Sequence, residues 1–159
     1  MLKMRCAFLM IGLALIAVSP ALAQVQHDVA TDRAQLQSDR QAIVAANLPL
    51  TEDQAKAFWP VYRDYRVEMQ KLGDRLVDLI MEYAKNADTL TDAQSKTMLD
   101  DYLAIQKDEI KLKTDWVAKF RKVIPSKAVT RLYQIENKLD AVIRYEAADL
   151  IPLVEHEQK

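Results

Sequence analysis

The chain has a single cysteine, two glycines, two histidines and few aromatic residues in 159 positions. Each shortage removes a class of protein. The one cysteine, Cys6, lies in the leading segment, so no disulfide framework and no cysteine nucleophile is available to the rest of the chain. Of the glycines, only Gly73 lies beyond the leading segment, which excludes phosphate-cradling loops of the GxGxxG or P-loop kind. His27 and His156 stand near opposite ends, flanked at the second by Glu155 and Glu157, and read as tail residues rather than a metal centre. Without an internal histidine or a Ser/His/Asp set the chain reads as a non-enzyme, with no cofactor and no metal.

The first 23 residues, "MLKMRCAFLMIGLALIAVSPALA", have the parts of a cleaved secretory signal. Lys3 and Arg5 give a positive start, Cys6 to Val18 an apolar run, and Ala21-Leu22-Ala23 a small-x-small cleavage site, so cleavage is expected after Ala23. The apolar run is too short for a retained membrane helix, which needs roughly 20 apolar residues. Taking Lys3 and Arg5 from the 22 basic residues leaves the exported part, with its 23 acids, at a formal charge of about −3. An acidic exported chain is a poor partner for nucleic acid.

What the chain does have is helical pattern. Val61, Tyr65, Met69, Leu72, Leu76, Leu79 and Tyr83 recur at steps of three and four, and so do Met98, Tyr102, Ile105, Leu112, Trp116, Phe120 and Val123, with Glu109 interrupting the second stripe. A third stripe runs through Val129, Leu132, Ile135, Leu139, Val142 and Ile143 after the break at Pro125-Ser126, and a weaker helix ends near Asn47-Leu48-Pro49. No sheet is expected. The turn signal at Asn86 to Thr91 folds the two longest stripes back as an antiparallel hairpin, giving an all-α chain of four helices. Helices from Glu52 to near Lys85 and from Asp92 to near Lys122 would each be on the order of 45 to 50 Å long. So thin a hairpin leaves apolar surface for a second copy to cover, and a homodimer is expected. Pro60 falls inside the first of these helices, and a kink is expected between Lys56 and Pro60.

Two pentapeptides forty positions apart, "LTEDQ" (Leu50, Thr51, Gln54) and "LTDAQ" (Leu90, Thr91, Gln94), stand where the long helices begin. In each, threonine at the N-cap and glutamine three residues on form a reciprocal capping box. Acidic residues follow in the first turn, where unpaired N–H groups favour them.

The signal segment, the cysteine-free helical chain and the paired Leu-Thr-x-x-Gln motifs resemble the Spy/CpxP family of periplasmic proteins, also called the LTXXQ family. "AFWPVYRDY", "KLGDRLVDLI" and "KFRKVIPSKAVTRLYQIENKLDAVIRYE" further resemble secreted proteobacterial proteins of that neighbourhood, and the likeness covers roughly Asn47 to Leu153. It implies residues 24–153 as one domain with a flexible tail at 154–159, a cradle-like antiparallel dimer, a periplasmic location, a part in envelope stress, and chaperone action without ATP. The mild acidity and the few methionines depart from a basic chaperone cradle.

On this reading unfolded or partly folded proteins are the partners, held by Trp59, Tyr62, Tyr65, Met69, Trp116 and Phe120 with Arg63 and Arg66 at the rim; the alternative for these aromatics is plain core. Trp59 and Tyr62 lie off the main stripe and are the preferred client contacts. A second class of function, a metal-responsive or signalling accessory docking on a membrane sensor protein, would use His27 and His156. The stretch from Lys119 to Arg131 is rich in cations and free of acids, and reads either as a solvated corner or as a face for membrane phosphates or an acidic partner.

Overall fold

A computed structural model describes residues 38–151, 153 and 154. Helix α1 is described over residues 38–47, followed by α2 (Glu52–Asn86), a single 3-10 turn (Ala87–Thr89), α3 (Asp92–Phe120) and α4 (Ser126–Leu150). The described residues are all-α and contain no strand. Residues from Arg40 onward form one unit. The segment expected to be a cleaved signal and both histidines lie outside the described residues, and no described helix is long and apolar enough to cross a membrane.

Helix ends follow local chemistry closely. Thr51 accepts from the Gln54 backbone N–H at 3.3 Å while the Gln54 side chain accepts from the Thr51 N–H at 3.1 Å. Thr91 and Gln94 repeat the arrangement at 3.3 and 3.0 Å. Both capping boxes are therefore formed, with Glu52 and Asp53, and Asp92, in the first turns. α2 and α3 make the long antiparallel hairpin, and at 35 residues α2 is about 50 Å long. It runs unbroken through Pro60. The proline leaves the Lys56 carbonyl without its helical donor, but both residues are exposed, so water can supply one.

All but one of the buried apolar side chains among the described residues gather at one end. Val44 of α1 and Leu48 just after it, Phe58, Tyr62 and Tyr65 of α2, Trp116 and Phe120 of α3, Ile124 in the turn, and Val129 and Leu132 of α4 form one cluster. Four helices meet there, so a single chain does bury a core at that end. Past Arg66 on α2 and before Leu112 on α3 the fully covered apolar side chain is Ile105, and the remaining contacts across the hairpin are half-buried. Ion pairs support the arms: Arg75 meets Asp108 across the hairpin at 2.7 Å, and Lys71 meets Glu68 at 2.7 Å. Both pairs are exposed and contribute only a few tenths of a kcal/mol each.

Candidate functional site

The aromatic residues singled out from the sequence are gathered at the end where the four helices meet, and most are inaccessible. Phe58 stacks on Tyr62 at 5.4 Å, Tyr65 meets Trp116 and Phe120 edge-on at 5.7 and 5.4 Å, and Phe120 meets Tyr133 at 6.3 Å. Tyr62, Tyr65 and Phe120 are at most 1 % exposed and Trp116 is 7 % exposed. The expected client surface is corrected accordingly: these four side chains are core. Tyr62 is buried although it lies off the main stripe, because α2 packs against both α3 and α4 at this end and its buried face is wider than the single stripe in the sequence. Trp59 and Met69 are half-buried against the core, Arg63 is exposed, and Arg66 pairs inward with Glu136.

Sequence reasoning missed the polar centre of this end entirely. Glu136 of α4, 2 % exposed, accepts from Arg40 Nη1 at 2.6 Å, from Arg66 Nη1 at 3.1 Å and from the Tyr62 hydroxyl at 2.6 Å. Asp140, one turn on, accepts from Arg40 Nη2 at 2.9 Å and from Lys113 Nζ at 3.1 Å. Lys113 also donates to Glu109 at 2.6 Å, and Glu109 takes both bonds of Arg144 at 2.8 and 2.6 Å. One lattice of charges thus ties all four helices together. Its electrostatics are those of mutual neutralisation. Burial pushes the Asp140 carboxyl up, but Arg40 and Lys113 outweigh it and hold it below the ordinary carboxylate value. Burial and the nearby Glu136 both push the Tyr62 hydroxyl upward. The one local signal was Glu109, a charge set in an apolar stripe.

The accessible apolar surface lies elsewhere, along α3. Leu99, Tyr102, Leu103 and Ile110 are 57, 42, 54 and 67 % exposed. Their spacing places Leu99, Leu103 and Ile110 more than a quarter turn away from the Met98, Ile105 and Leu112 row that faces α2, with Tyr102 at the margin between the two. α3 therefore carries two apolar faces, only one of which is covered by α2. On the hairpin's other side Val67, Leu112 and Trp116 floor a groove of about 640 Å³ edged by Asp64, Glu68, Asp108, Lys111, Asp115 and Lys119. Lys119 lies over the Trp116 ring at 3.6 Å, shielding the indole.

Among the described residues no group of three or more metal-ligating side chains is assembled. Comparison with family models, with curated proteins and with solved structures finds no match to this chain.

Proposed function

We propose that the protein is a periplasmic, ATP-independent holder of partly unfolded clients, and that the uncovered face of α3 is the surface that holds them. The observation carrying this reading is the row Leu99, Tyr102, Leu103 and Ile110, about half or more exposed on a helix whose other apolar face is already packed. Charged residues flank the row, Lys96 and Asp100 near one end and Lys107 further along, and all three are exposed. Apolar contact surrounded by exposed charge gives weak, reversible holding, and release then needs no nucleotide. The likeness to the Spy/CpxP family carried by the two capped Leu-Thr-x-x-Gln motifs supports the same reading.

The test is suppression of aggregation by the mature chain, without nucleotide, against Leu103→Glu/Ile110→Glu. Both positions are solvent-facing, so the helical signal is expected to persist while holding is lost. Failure of the unmodified protein to suppress aggregation even at large excess removes the proposal, and so does full activity of the double variant.

A second reading is favoured by spacing. Leu99, Leu103, Gln106 and Ile110 follow steps of four, three and four, the seam of a paired coil, with Asp100 and Lys107 seven residues apart on one flank. Two copies running antiparallel would set Asp100 beside the partner's Lys107, making the same face a homodimer seam. Sedimentation distinguishes the two: on this reading Leu103→Glu/Ile110→Glu converts a dimer to a monomer, whereas a client surface leaves the mass unchanged.

A further inference from the structure

The end of the molecule where α3 turns into α4 carries positive charges that no carboxylate of the described residues neutralises. Between Trp116 and Ile135 the chain has no acidic residue, while Lys119, Arg121, Lys122, Lys127 and Arg131 are all exposed. None of the five has a carboxylate partner among the described residues. On the arms, by contrast, Lys71, Lys96 and Lys111 each hold a carboxylate at 2.5 to 2.7 Å. Lys119 instead covers Trp116, and Arg131 donates through Nε to the Asn47 carbonyl at 2.5 Å, which fixes its stem beside the end of α1.

The corner is also rigid. Arg121 N–H donates to Val117, Lys122 to Lys119, and Val123 and Ile124 to Phe120, all within 3.2 Å. Phe120, Ile124 and Val129 are at most 4 % exposed and pin the turn to the core. The cations are therefore set on a fixed platform and not on a loose tail, so gathering them on a surface orders no additional backbone.

A local rule is broken here as well. α2 and α3 each begin with a side-chain cap and acidic first turns, but α4 begins at Pro125 with no side-chain cap and no acid in its first turn, and Lys127 sits there instead. A cation at a helix start opposes the helix dipole. An external anion near this turn would relieve both the uncapped N–H groups and the clustered positive charge.

We infer that this basic corner docks the protein on an anionic phospholipid surface, the phosphate head groups lying against Lys122, Lys127, Arg121 and Arg131. No large apolar side chain between Trp116 and Ala141 is among the exposed ones, so the corner lacks the aromatic or aliphatic anchor that a protein partner's hot spot would engage. It equally lacks one to insert among acyl chains. What remains is exposed positive charge without carboxylate partners, the chemistry that lipid phosphates attract, and the adsorption is purely electrostatic and steeply salt-dependent. This inference is independent of the client-holding reading.

The experiment is co-sedimentation of the mature chain with vesicles of phosphatidylcholine alone and of equimolar phosphatidylcholine and phosphatidylglycerol. Partition onto the anionic vesicles alone is expected, lost as sodium chloride is raised, and weakened about fivefold for each charge removed in Lys122→Gln and Lys127→Gln. Both positions are exposed and make no ion pair, and circular dichroism checks that the fold is retained. Equal partition onto both vesicles, no partition at low salt, or unchanged partition of the Lys122→Gln/Lys127→Gln chain overturns the inference. So does binding of the corner to an acidic polypeptide such as polyglutamate with none to the vesicles.

Discussion

Replacing Glu136 with glutamine removes one negative charge at the point where three helices converge, and the consequence can be worked through bond by bond. The carboxylate is buried and holds Arg40, Arg66 and Tyr62 at 2.6, 3.1 and 2.6 Å. Arg40 is itself 6 % exposed, so in the variant its guanidinium keeps only Asp140 as a charged partner. Arg66 is 22 % exposed and can turn to water, so its share of the loss is small. Breaking a buried ion pair from one side costs about 3 to 5 kcal/mol. The glutamine oxygen still accepts one bond and Asp140 still faces Arg40, which places Glu136→Gln near the lower end, about 3 kcal/mol. That is a large part of the roughly 5 to 15 kcal/mol that holds a domain of ordinary stability. Urea unfolding followed by far-UV circular dichroism measures it, with Arg40→Met and the double variant completing a cycle. Because Arg40→Met removes the charge that Glu136→Gln strands, the double variant is expected to lose at least about 1 kcal/mol less than the two single losses together. Single losses under about 1 kcal/mol, or additivity within roughly 0.5 kcal/mol, would refute the reasoning that this lattice fastens α1 to α4.

Three other outcomes follow from individual residues. Thr91→Ala removes the cap of α3 and is expected to cost about 1 kcal/mol in urea unfolding; a cost below a few tenths would mean the Thr–Gln clasp is incidental. Gly73 lies inside α2 with open space where a Cβ would stand, so Gly73→Ala is expected to stabilise by about 0.5 to 1 kcal/mol, and a lower midpoint would reveal a role for bending there. Burial, assisted by Glu136, pushes Tyr133 up to about 12, and Tyr62 and Tyr65 are raised too. A raised folded-state value gives stability that is complete below the unfolded tyrosine value near pH 10 and is lost as pH climbs toward the folded one. Alkaline unfolding should therefore begin above about pH 10 together with ionisation of these three buried or half-buried tyrosines, and their ionisation in a chain that stays helical would count against it.

The helices were legible in the sequence because their signals are local. Thr51 with Gln54, and Thr91 with Gln94, act within one turn, and Pro125 ends one element and opens the next. The hairpin follows from two long amphipathic stripes and the turn between them. The charge lattice was illegible for the opposite reason: Arg40 stands 96 residues from Glu136 and 100 from Asp140, and a carboxylate bound for the interior looks the same in sequence as one in water. Tyr62 shows the same limit from the apolar side. Its place off the stripe is real, yet α4, arriving from 74 residues away, supplies the second wall that buries it. On α3, Ile110 and Leu103 fall outside the stripe facing α2, and being outside it is what leaves them uncovered.

With its packed residues gathered where four helices meet, the hairpin is anchored at one end only. Arm length is thus a free variable: excising matched seven-residue blocks from the outer parts of α2 and α3 would shorten the reach of the molecule while leaving every contact of Glu136 in place. Amide exchange should grade along each arm, slow beside Phe58 and Phe120 and quick toward Asn86, within helices that are continuous on paper.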